Sequence, residues 1–138
     1  MRQVRQLPLL HQGLGHNYQL IVLAGDIEVV GIDEAQFFDD GLPAVCVQLA
    51  GQGVRVIIAG LDMDFQGRPF GPMPQLMAMA EFVTKVHAIC MRCGDLATFS
   101  HRTTANTELV VLGETDSYEP LCRGCFDDAV AAQQAAKG

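Results

Sequence analysis

Basic residues are scarce in this chain of 138 residues: nine lysines and arginines face sixteen carboxylates, a formal net charge of -7, and only Lys85 and Lys137 are lysines. The nine are scattered instead of forming a stripe, which excludes the footprint of a nucleic-acid surface and favours a small or neutral ligand. No apolar run is long enough to span a membrane, so no membrane partner is expected. Met1-Arg2-Gln3-Val4-Arg5 has the charge of a secretory leader. The apolar run from Leu7 to Leu10 nevertheless stops at His11-Gln12-Gly13, and no small-residue cleavage site follows. Cysteines number five, four of them in two Cys-x-x-Cys pairs. Without a secretory signal, that usage predicts a reducing, cytoplasmic setting and metal-bound thiolates, not disulfides. A hydrophobic content of 49% provides a real core for one domain with room for a small appendage.

Along the chain, Met1 to Gly25 mixes a leucine stripe with Pro8, Gly13 and Gly15 and reads as a helix or loop; His11 and His16 there have no acidic or cysteine company. The apolar run Glu28 to Ile32 reads as a buried parallel strand, and it breaks off into Asp33 and Glu34. In open α/β sheets ligands lie outside the carboxyl ends of the strands, so these two groups are candidates to face a substrate. Asp33 suits a magnesium ion carrying polyphosphate, and Glu34 suits a general base acting on a hydroxyl. The plainer alternative is that Asp-Glu caps the helix that follows.

Leu42 to Leu49 reads as a short helix entered through Asp39, Asp40 and Pro43, with Cys46 as a core residue. Val54 to Ala59 has the β-branched richness of a second buried strand, which makes a right-handed β-α-β unit. Gly60 to Pro72 is a loop that mixes Gly and Pro with Phe, Arg and Asp, the composition of a binding loop. Phe65 and Phe70 within it fit a ligand wall and a core plug equally well. Pro74 to Phe82 then reads as a helix with Leu76, Met77 and Ala80 inward, and Val83 to Ile89 as strand-like.

Cys90-Met91-Arg92-Cys93 and Cys122-Arg123-Gly124-Cys125 read as two knuckles of a four-thiolate site, for which zinc is the expected metal. With all four positions filled it would be structural. A redox pair and an iron-sulfur site are the competing readings. The 28 residues between the knuckles contain two strand candidates, Ala97 to Thr104 and Leu109 to Leu112, as a zinc-ribbon hairpin would. Gly113 to Leu121 reads as a flexible excursion that metal pins at Cys122, able to hold Tyr118 over a ligand. The tail from Asp127 to Ala136 is an alanine-rich helix.

Gly31-Ile32-Asp33-Glu34-Ala35-Gln36-Phe37-Phe38, Ala59-Gly60-Leu61-Asp62, Phe65-Gln66, Pro69-Phe70-Gly71, the two cysteine pairs and Tyr118 four residues before Cys122 follow one another in order. Together they resemble the zinc-containing thymidine kinase family over about residues 27 to 126. The resemblance implies a P-loop-type parallel sheet, partial here, over residues 1–89, followed over residues 90–138 by a zinc ribbon with a lasso loop. It implies Glu34 as the base for the nucleoside 5'-hydroxyl and Asp33 in the magnesium region. Phe37, Leu61, Phe65 and Phe70 would wall the thymine ring, Val111 and Tyr118 would close over base and sugar, and Ser100 and its neighbours would contribute backbone. Zinc, magnesium with ATP, thymidine and a homo-oligomer, a tetramer in the family, are the implied cofactors and partners.

One part of the family pattern is missing. No G-x-x-x-x-G-K-S/T run occurs in the 138 residues, neither lysine is preceded by glycine, and nothing before Glu28 reads as a strand entering a phosphate-binding turn. The expectation is an acceptor half without a donor cradle, inactive by itself. ATP would bind only if such a segment were supplied. Two function classes follow: a thymidine kinase or its C-terminal portion, and a non-catalytic zinc-ribbon protein that binds nucleoside or partners an oligomer.

Overall fold

The computed structural model describes residues 5–6, 27–103 and 118–136. The expectations for Met1 to Gly25 apart from residues 5–6, for Leu109 to Leu112 and for Val111 lie outside them. The chain divides into two compact units, Met1–Asp62 with Pro69–Val83 and Met63–Arg68 with Thr84–Gly138. The loop at 63–68 thus belongs with the cysteine-bearing unit.

In the first unit a three-stranded parallel sheet has the order β1 (Arg5–Gln6), β2 (Val29–Ile32), β3 (Arg55–Ile58). Val30 pairs with Val56 and Ile32 with Ile58, joined through helix α1 (Leu42–Gly51) as the expected β-α-β unit. β1 departs from the reading of Met1 to Gly25 as a helix or loop: Arg5 pairs with Val30 and Gln6 with Gly31. Two residues joined through backbone hydrogen bonds need no side-chain pattern, which is why the sequence shows none.

Val30 and Ile32 point one way from β2 and are buried with Ala35, Leu42, Val45, Leu49, Val54, Met73 and Leu76. Leu42, Val45 and Leu49 recur at helical spacing and give α1 one apolar face. Its start is prepared by Asp39, whose Oδ1 accepts from the Gly41 amide at 2.9 Å, and by Pro43 in the first turn. Its end is a Schellman turn: Gly53, at φ +82°, donates to the Ala50 carbonyl, and the Val54 amide returns to Leu49. The Val54 and Leu49 side chains are buried in the same cluster, so the turn that stops the helix also aims β3.

Helix α2 spans Met73–Met79, shorter than expected; Ala80 is extended and exposed, not inward, and Phe82 is 92% exposed. Val83 to Ile89 is strand only at Ala88–Ile89, labelled β4. Val83 and Val86 are exposed as well, so no burial holds these residues in a regular element.

In the second unit β4 pairs antiparallel with β5 (Leu96–Ala97), and β6 (Phe99–Arg102) pairs antiparallel with β7 (Tyr118–Leu121). Tyr118 to Leu121 is therefore strand and not the end of a flexible excursion; Phe99 faces Leu121 and Arg102 faces Tyr118. Pro120 is tolerated there because an edge position needs no N–H from it. Helix α3 (Arg123–Ala135) starts at once after Cys122 and lays Phe126 and Ala129 on a core of Cys90, Ala97, Phe99 and Leu121. The Phe99 and Phe126 rings stack at 4.4 Å.

Candidate functional site

At the carboxyl end of the parallel sheet, the Ala59 amide donates to the Ile32 carbonyl at 2.8 Å and the Ala35 amide to the Ala59 carbonyl at 3.0 Å. These bonds carry the backbone past Asp33 and Glu34 into a short 3-10 turn over Ala35–Phe37. Asp33 is exposed and its Oδ1 accepts from the Glu34 amide at 2.9 Å. Glu34 sits at φ 51°, ψ 40°, the only non-glycine residue at positive φ among the described residues. A left-handed conformation costs an L-residue about 1–2 kcal/mol and persists only where its surroundings over-determine it.

The surroundings here are Gln36, 2% exposed. Its Nε2 donates to Glu34 Oε2, and its Oε1 accepts from the Leu61 amide at 3.0 Å. The amide side chain thereby ties the Glu34 carboxylate to the backbone following β3. Glycines make the space. A Cβ on Gly60 would stand 2.7 Å from Gln36 Oε1, and one on Gly71, whose φ is +49°, would stand 2.2 Å from the Gln36 carbonyl oxygen. Sequence reasoning passed over Gln36; two glycines flanking the binding loop were the available signal.

In the same unit Phe37, 43% exposed, meets Phe70 edge-on with ring centroids 5.5 Å apart, and Leu61 is 46% exposed. Phe70 is itself buried, so it serves the core as well as backing Phe37.

The second unit gathers Phe65 and Tyr118 around Arg102. The Arg102 guanidinium lies 3.9 Å over the Phe65 ring, and its Nε donates to the Tyr118 hydroxyl at 3.1 Å. Loop 63–68 is closed by Asp64, whose Oδ1 accepts from the Gln66 amide at 2.8 Å and the Arg68 amide at 3.0 Å. Gly67, at φ +74°, lies against Phe99. Ser100 lies half-buried on β6. Arg102 escaped the sequence reading because a single arginine on a strand carries no signal of burial.

Cys90, Cys93, Cys122 and Cys125 bring their sulfurs within 4.8 Å of one another, and Cys93 and Cys122 are 3.5 Å apart. That is too long for a disulfide and close to the edge of a thiolate tetrahedron, about 3.8 Å for metal-sulfur bonds of about 2.3 Å. The residues fit a tetrahedral metal ion. The first knuckle is a tight turn, with the Cys90 amide on the Asp95 carbonyl at 2.7 Å and Gly94 at φ +79°. The second is the entry to α3. Backbone N–H groups, that of Cys122 foremost, bring the Cys90 thiol down to about 6, while the clustered sulfurs, Cys122 first, push Cys125 up to about 12.

Behind the knuckles, Glu119 accepts from Arg92 and from His101 Nδ1, the latter at 3.0 Å, and Arg92 holds its carboxyl below the usual range. His101, buried, meets Gln133 through Nε2 at 3.1 Å, which links β6 to α3.

A parallel β-α-β sheet with carboxylates at its carboxyl end, followed by a ribbon with a four-thiolate centre, defines a two-unit α/β protein. The chain belongs to the thymidine kinase family: the family's sequence profile, described as thymidine kinase, matches residues 14–126. It is 68% identical over 107 residues to a thymidine kinase of Bacteroides thetaiotaomicron, covering 78% of this chain and 54% of that protein. It is 65% identical over 111 residues to one of Bacteroides fragilis, covering 80% and 56%. A Porphyromonas gingivalis thymidine kinase is 59% identical over 107 residues, covering 78% and 52%. The chain thus spans about half the length of these relatives.

Proposed function

We propose that this chain carries the acceptor half of a thymidine kinase reaction, transfer of the γ-phosphoryl group of ATP to the 5'-hydroxyl of thymidine in cytoplasmic nucleoside salvage. The observation that carries the reading is Glu34, a carboxylate at the end of a parallel strand, held in a left-handed conformation and tethered by Gln36. Glu34 accepts the hydroxyl proton as the 5'-oxygen bonds to the γ-phosphorus; the bond from that phosphorus to the β–γ bridging oxygen breaks, and ADP leaves. Asp33 is the residue to hold magnesium, which offsets charge on the triphosphate. On the first unit Phe37, Leu61 and Phe70 serve as apolar contacts for the thymine ring. On the second, Phe65, Tyr118, the backbone near Ser100 and Val111 contribute to base and sugar. The four-thiolate site holds zinc as a structural ion, with no position left for water. Assembly into a homo-oligomer is part of this reading, on the family resemblance.

The donor side has no G-x-x-x-x-G-K-S/T in the 138 residues. That observation favours a second reading, nucleoside binding without turnover. The two separate in one assay. The chain by itself should bind thymidine without phosphorylating it, and turnover should appear when a G-x-x-x-x-G-K-S/T segment is fused ahead of it. There Glu34→Gln should lower kcat by about 10²–10⁴ with thymidine binding nearly intact. Turnover by the 138 residues alone would overturn the donor argument, and full activity of the fused Glu34→Gln protein would remove Glu34 as the base.

A further inference from the structure

We infer that Arg102 is a positioning residue for the nucleoside, fixing the Phe65 ring and the Tyr118 hydroxyl relative to one another; the inference rests on the reading above that both touch thymidine. Arg102 is 3% exposed, unusual for a cation, and its guanidinium plane performs two tasks at once. Its face covers the Phe65 ring at 3.9 Å, and its edge donates from both Nε and Nη2 to the Tyr118 oxygen. The two residues are also cross-strand partners, the last pair of the β6–β7 ladder, at the strand ends that residues 104–117 connect. The strand is secured from behind, where Gln133 Nε2 donates to the Arg102 carbonyl at 3.2 Å.

Two consequences bear on the ligand. The Tyr118 oxygen already accepts two N–H groups, so toward a ligand Tyr118 acts as a hydrogen-bond donor polarised by a neighbouring cation. It therefore selects an acceptor, a pyrimidine carbonyl or a sugar oxygen, over an N–H. The Phe65 face under the guanidinium is taken, so a ring ligand meets Phe65 on its other face or its edge. A lysine at 102 keeps the charge and loses both the plane and the fork, so it should not substitute.

The test is calorimetric titration of the 138-residue chain with thymidine, with metal content measured on each sample. Arg102→Met and Arg102→Lys should each weaken binding about ten-fold with metal per chain unchanged. In a Tyr118→Phe background Arg102→Met should cost clearly less, because the two residues act as one device. Absence of thymidine binding by the unaltered chain would overturn the proposed function and this inference with it. Binding by the unaltered chain that Arg102→Met leaves within about two-fold would overturn this inference alone, as would fully additive effects in the double variant. Should Arg102→Met lose its metal, Arg102→Lys decides: unaltered affinity overturns the inference, and a ten-fold loss with metal retained supports it.

Discussion

Among the described residues the main core cluster of the first unit has nine buried side chains, all aliphatic or thioether, and that of the second has six, one of which, Cys90, is also a metal ligand candidate. Around its smaller core the second unit adds a four-thiolate centre, a carboxylate linking Arg92 to His101, and an arginine between two aromatic rings. One unit is held by area removed from water and the other by cross-links among polar groups. A core that small needs such staples, because apolar burial alone does not offset the chain entropy.

The largest effect expected from this contrast is metal removal. Chelation, or the Cys90→Ser, Cys122→Ser double variant, should forfeit on the order of 10 kcal/mol of metal-linked stabilisation in the second unit. Hydrogen exchange should show the β6–β7 amides losing protection while those of β2 and β3 keep theirs. Simultaneous loss in both would break the comparison. Elemental analysis should find one zinc per chain in the unaltered protein, and iron would replace the zinc assignment.

Leu49→Ala is the counterpart in the first unit. Leu49 is fully buried and also closes the turn that leads into β3, so truncation should cost about 2–5 kcal/mol in chemical denaturation. Metal content should be unchanged. A loss of metal would mean that the units are less separate than their cores.

The smallest effect is Glu119→Gln, which removes a partly exposed ion pair worth about 0–1 kcal/mol. Because Arg92 lowers the folded-state pKa of Glu119, its contribution is full above the ordinary glutamate value of about 4.3 and fades as pH falls through the depressed folded value. The stability difference between unaltered protein and variant should therefore be present at neutral pH and vanish in acid. A difference that persists below both values would assign the effect to lost hydrogen bonding.

Legibility in the sequence followed the same division. The β2-α1-β3 unit could be read because Val29 to Ile32, Leu42 to Leu49 and Val54 to Ala59 carry the periodicities that apolar burial imposes, and the paired spacing of the four cysteines carries ligand geometry. What was hidden depends on partners remote in sequence. Arg5–Gln6 is strand only because Val30 and Gly31 lie beside it, and Tyr118–Leu121 only because Phe99–Arg102 does. Gln36 and Arg102 are polar residues whose burial no local pattern announces. Ala80 was misread because helical spacing continues through a position where the backbone has turned to ψ 139°.

Gln36 also constrains the order in which substitutions can accumulate. At Gly60 the obstacles to a methyl group are two flexible side chains, through Gln36 Oε1 at 2.7 Å and Met73 Sδ at 2.9 Å, and the Ala35 amide nitrogen at 3.1 Å. At Gly71 the obstacle is the Gln36 carbonyl oxygen, fixed in the backbone, and the φ of +49° adds a second bar. Alanine at 60 is thus contingent on both Gln36 and Met73 giving way, whereas alanine at 71 is closed whatever side chain stands at 36. A mutational path that shrinks residue 36 removes the nearest obstacle at position 60 and none at position 71, so the two glycines, eleven residues apart and facing the same glutamine, have separate evolutionary futures.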